Sequence, residues 1–158
     1  MPELIVYCNC FKKATDKIDS SLLRHLKFDS DGSTYFENDN LQIQYDELLK
    51  KYCVHGGNSI AISVVLPRNL PTLIHFLETE LSEHIQHWEI LSREFIYAGN
   101  SSGIIKVTEL DIFKTEIGLL WNHWENVLNS DKEIEDLIIE FESVIKTAIE
   151  MNNPILIS

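Results

Sequence analysis

Positive charge is what this sequence has least of. Only 13 lysines and arginines stand against 25 aspartates and glutamates, for a formal net charge of −12. Such a chain repels phosphate backbones and anionic lipid surfaces, which argues against direct contact with nucleic acid or membrane. Long apolar runs are missing too. No stretch approaches the roughly 18 residues of a transmembrane helix. Leu4–Val6 is too short for the core of a secretory signal, so the reading places the chain in the cytoplasm. Cysteine is sparse: three residues, an odd number, do not make a disulfide framework and suit a reducing compartment. No glycine-rich phosphate loop is present. Gly56-Gly57 fits neither G-x-G-x-x-G nor G-x4-G-K-[ST]. Neither H-E-x-x-H nor a G-x-S-x-G elbow occurs.

What remains is ordinary globular composition, 44% hydrophobic and 24% charged, over 158 residues. That length suits one domain, which needs no covalent or metal staple. Leu4–Cys8 reads as a strand. Ile18, Leu22 and Leu26 have helical spacing, with Asp16 or Asp19 as N-cap and Asp31-Gly32 as the turn that follows. Ser33–Glu37 and Leu41–Tyr45 read as two strands of a hairpin around Asn38-Asp39-Asn40. A short helix over about Asp46–Tyr52 comes next. Ser59–Leu66 is the most apolar strand, expected at the sheet centre with both faces covered. Three amphipathic helices are predicted. Their stripes are Ile74, Leu77, Leu81, Ile85 and Trp88; Phe113, Ile117, Leu120, Trp121, Trp124 and Leu128; and Ile134 through Ile149, with Asp131 as N-cap. Glu94–Ala98 and Ile104–Thr108 read as a hairpin. The sum is an α+β fold, with helices packed on an antiparallel or mixed sheet of about five to six strands.

Chemistry-bearing residues are few. Cys8, Cys10, Cys53 and His55 make up a three-cysteine, one-histidine set of the kind zinc accepts. Their i, i+2 spacing departs from the usual C-x2-4-C knuckle, so buried thiols and a turn histidine are expected, with no cofactor. Glu80, Glu83, His84 and His87 are neighbours on one helix and read as a solvated face. Trp121 and Trp124 read as core. No catalytic residue is assigned.

The sign of charge is segregated along the chain. From Phe28 to Leu49 there is no basic residue, while Asp29, Asp31, Glu37, Asp39, Asp46 and Glu47 all fall inside. Basic residues collect before it, at Lys12, Lys13, Lys17, Arg24 and Lys27. An electrostatically steered binding face has this pattern. Its candidate contacts are Asp29, Asp31, Glu37, Asp39 and Asp46, with Tyr35 and Tyr45 as aromatic anchors. In size, acidity and mixed α+β order the whole chain resembles the small acidic immunity proteins of bacterial contact-dependent inhibition and other polymorphic toxin systems. The resemblance rests on no motif and transfers no residue. It implies a cytosolic inhibitor that covers the basic cleft of a nuclease-type toxin. The alternatives are a small enzyme using a metal or acid/base pair, and a subunit of an oligomeric assembly.

Overall fold

A computed structural model of the chain describes residues 2–56, 58–83, 88–97, 102–124 and 131–158. The fold is α+β. In chain order the elements are β1 (Glu3–Tyr7), α1 (Cys10–Lys13), α2 (Ser20–Leu23), β2 (Leu26–Phe28), β3 (Thr34–Phe36), α3 (Gln42–Tyr52) and β4 (Ile60–Val65). Then come α4 (Leu70–Leu81), α5 (Ile90–Ser92), β5 (Gly103–Ile105), α6 (Leu110–Trp124), α7 (Lys132–Met151) and β6 (Ile155–Ile157). Four strands form an antiparallel sheet in the order β4-β1-β6-β5, and β2 and β3 form a separate hairpin.

The largest core lies between one face of the four-stranded sheet and helices α4 to α7. Leu4 and Val6 of β1 are fully buried, as are Ile105 and Ile155. α7 supplies Ile134, Leu137, Ile138, Phe141, Val144, Ile145 and Ala148, all buried, at the spacing its sequence predicts. Each large aliphatic or aromatic side chain there contributes about 1.5–3 kcal/mol on burial. Asp131 caps the helix, accepting from the backbone N–H of Glu133 and Ile134. Asn152 ends it in the left-handed region at φ +50°, as a C-terminal cap should.

A second, smaller core holds Phe11, Ala14, Ile18, Leu26, Leu48 and Leu49. It is enclosed by α1, α2, α3 and the β2–β3 hairpin. This lobe corrects the expected secondary structure most. The segment after Leu41 is helix, not strand, because Tyr45, Leu48, Leu49 and Tyr52 form a longer i, i+3, i+4, i+7 stripe that buries more than the alternation at 41, 43 and 45. Ile43 is left 71% exposed as the remnant of that alternation. β3 therefore pairs with β2, not with the 41–45 segment. Leu26, expected in a helix, is its strand partner opposite Phe36. The preceding helix α2 is one short turn capped by Asp19.

Three further expectations change. β4 is an edge strand rather than a central one, with Ser63 and Val65 exposed. Instead of a strand, Arg93–Tyr97 is a π-helical turn continuing from α5. β5 is confined to Gly103–Ile105 and runs into a 3-10 turn over Val107–Glu109. Ile85, His84, His87, Ala98 and Leu128 lie outside the described residues.

Candidate functional site

The expected acidic contacts fall on the smaller lobe. The turn between β2 and β3 carries Asp29 and Asp31. Its geometry follows from side-chain acceptors: Asp29 Oδ1 accepts from Ser30 N at 2.7 Å, and Asp31 Oδ1 accepts from Ser33 N at 2.8 Å. Gly32 takes φ +89°, and a Cβ there would stand 2.9 Å from Asn153 Cγ, so only glycine fits. Tyr35 is exposed on β3 opposite Lys27. Glu37, Asp39 and Asp46 are exposed, Glu37 directly after β3, Asp39 in the turn before α3 and Asp46 on α3. Lys27 Nζ lies 3.7 Å from Glu37 Oε2, so that carboxylate is partly neutralised. Tyr45 is not a surface anchor. Its ring packs on Phe11 and Phe36, its hydroxyl donates to the Thr34 carbonyl at 2.8 Å, and burial raises its pKa. Asp46 Oδ1 accepts from Gln42 Nε2 one helical turn earlier.

The four sulfur and imidazole residues converge where the two cores meet. Cys8 lies between β1 and α1, Cys10 is the first residue of α1, and Cys53 and His55 lie on the turn leaving α3. With the chain turning between them rather than running on as a strand, residues two apart can aim at one point. Cys8 Sγ is 3.6 Å from Cys53 Sγ, Cys10 Sγ is 3.4 Å from His55 Nδ1, and Cys53 Sγ is 3.9 Å from the same nitrogen. All four donor atoms lie within 4.8 Å of one another. Cys8 is buried and the other three are half-buried. Burial is the main force pushing the Cys8 thiol up to about 12, aided by the Cys53 and Cys10 thiols and opposed by the Cys10 backbone N–H.

Neighbouring groups fix this junction. Cys8 N donates to Ser59 O at 2.7 Å, tying β1 to the strand that follows the Cys53–His55 turn. Asn153, fully buried, donates from Nδ2 to the Tyr7 and Cys8 carbonyls and accepts at Oδ1 from Lys12 Nζ. Asn9 Nδ2 donates to Met151 O. Gly56, directly after His55, takes φ +87° and turns the chain toward β4. A depression lined by Asp46, Leu49, Lys50, Cys53 and Gly56 opens beside Cys53.

One charged residue was not anticipated. Glu116 is buried on α6, where its carboxylate accepts from the backbone N–H of Glu89, Ile90 and Leu91 at 2.5, 2.9 and 3.0 Å. The signal was a lone acid on the stripe Phe113, Glu116, Ile117, Leu120. Its chemistry is that of a cap for α5. Trp121 and Trp124, expected in the core, pack edge-to-face and half-buried against it. Comparison with known protein families, with curated proteins and with solved structures finds no match.

Proposed function

We propose that this chain is a cytoplasmic binding protein for a basic protein partner. Its concrete form is an immunity-type inhibitor that covers the phosphate-binding cleft of a nuclease-type toxin. The observation that carries the reading is the smaller lobe's surface: Asp29, Glu37, Asp39 and Asp46 are exposed together with the aromatic ring of Tyr35, on a chain of net charge −12. Lys27, on the hairpin itself, is partly neutralised by Glu37. Opposite potentials raise the encounter rate of two proteins, and exposed tyrosine is a residue on which interfaces anchor.

The test begins with capture of the partner from native lysate and identification of a stoichiometric basic protein. Association rates are then compared for wild type and the Asp29→Asn, Asp31→Asn, Asp39→Asn triple variant. Asparagine keeps the oxygen acceptors that shape the turn, so the fold is retained. We expect association to slow by about tenfold, and the wild-type rate to fall with added salt as surface charges are screened. An unchanged rate in the triple variant removes the hairpin as the binding face. A column that retains only further copies of the bait removes the inhibitor reading.

A further inference from the structure

The donor cluster at the junction of the two cores comes close to the dimensions of a tetrahedral coordination shell. A tetrahedral zinc ion holds sulfur at about 2.3 Å and nitrogen at about 2.0–2.1 Å, which sets its ligands about 3.8 Å apart for S···S and about 3.5 Å for S···N. Three of the six donor separations, 3.6, 3.4 and 3.9 Å, depart from those values by at most about 0.4 Å, and all six lie within 4.8 Å, so a small closing movement of the ligands completes the shell. A disulfide is a different geometry, with sulfurs about 2.0 Å apart. All three cysteines are free thiols here.

The structure assigns Cys8, Cys10, Cys53 and His55 as the four ligands of one Zn²⁺ ion in a closed structural site. Three thiolates and an imidazole select a borderline-soft ion and disfavour magnesium or calcium. Four protein ligands leave no open position for a reacting water, so the role is structural rather than catalytic. That role follows from where the ligands sit. Cys8 directly follows β1 of the main sheet, and Cys53 and His55 follow the helix that builds the smaller lobe. The ion therefore clips the lobe that bears the acidic hairpin onto the sheet. Groups behind the ligands hold them in place: Asn153 takes the Cys8 carbonyl, and the Cys8–Ser59 backbone bond links the two ligand-bearing segments. The depression beside Cys53 offers the ion a way in. None of this depends on the identity, or the existence, of a protein partner.

The test uses the full chain, purified under reducing conditions, stripped with chelator and reloaded with zinc. Elemental analysis after desalting should find one zinc per chain. Cobalt in its place should give the intense visible bands of a tetrahedral ion and the near-ultraviolet charge-transfer band of thiolate ligation. Zinc should raise the thermal midpoint of wild type. Cys10→Ser should weaken zinc binding by at least about 100-fold and lose that rise, while Val54→Ser, between two ligands but exposed, should behave as wild type. His55→Cys, which keeps four ligands, should retain zinc with stronger sulfur-to-cobalt absorption. A reduced, folded wild-type chain that holds no zinc after reloading overturns the assignment, as does a cobalt spectrum without sulfur charge transfer. Both of those readings use wild type alone, so they stand even if Cys10→Ser fails to fold.

Discussion

Glu116 is the residue whose loss should cost most for its size. Its carboxylate is the acceptor for three successive backbone donors at the start of α5, and it is only 4% exposed. Removing an acceptor from buried donors costs their desolvation as well as the bonds themselves. Glu116→Ala should therefore lower the unfolding free energy by about 3 kcal/mol in urea titration. Glu116→Gln should fall between, because its amide keeps one acceptor and turns an NH₂ toward a backbone N–H. A loss below about 0.5 kcal/mol for the alanine variant would mean that water replaces the carboxylate and that the cap carries little. At this scale the sequence was partly legible. The acid on an apolar stripe is visible in the letters, but its partners lie some 26 residues away in α5. The thiol cluster was illegible for a related reason. Spacing names Cys8, Cys10, Cys53 and His55 as a possible set, but only the turn conformations at residues 8–10 and 53–56 decide that they meet.

Elements were read well where one period ran long enough to exclude the other. α7 holds its stripe over five turns, and its N-cap and buried face match the sequence residue for residue apart from Ile149, which is 43% exposed. The 41–52 segment shows the opposite case. Its first residues alternate and its later ones keep a helical period, and the later ones win because Leu48 and Leu49 reach a core. β6 has no signature in the sequence, since a three-residue strand is defined by its pairing with β1, more than 150 residues away, and not by any local pattern. α7 also carries a testable conflict. Burial, and then the Asp136 carboxylate one turn earlier, raise the pKa of Glu140. Just above the ordinary carboxylate range the folded chain thus binds more protons than the unfolded one. Stability contributed by this residue consequently falls as pH rises through that window. Glu140→Gln removes the repulsion and should raise stability at pH 7 by about 0.3 kcal/mol, the size of a like-charge i, i+4 pair. The gain should vanish below about pH 4, where the acid is neutral in both states. A gain that persists in acid would assign the effect to packing rather than charge.

At the scale of the whole molecule, the described residues form two apolar clusters of unequal size that share one junction. The larger is built on strands β1 and β6, paired across the full sequence, together with four helices. The smaller encloses its six buried side chains with short elements, among them a hairpin of two three-residue strands and one helix of 11 residues. Local opening free energies follow buried contact, so the smaller lobe should open without the sheet. Leu49, 4% exposed in the small cluster, and Phe141, fully buried in the large one, separate the two levels. Leu49→Ala should cost the small lobe about 2–5 kcal/mol. Amide hydrogens of β2, β3 and α3 should then exchange faster by about 30-fold or more, while those of β1 and β6 keep their wild-type protection. Phe141→Ala should instead speed exchange in β1 and β6, whose slowest amides depend on the global unfolding free energy that it lowers, and leave the amides of the small lobe near their wild-type rates. The comparison belongs in chelator, so that no ion ties Cys8 and Cys10 to Cys53 and His55. If Leu49→Ala lowers protection in β1 and β6 by the same amount as in α3, the two clusters unfold as one unit. The acidic hairpin would then be as rigid as the sheet that carries it, and its partner would meet a preformed surface.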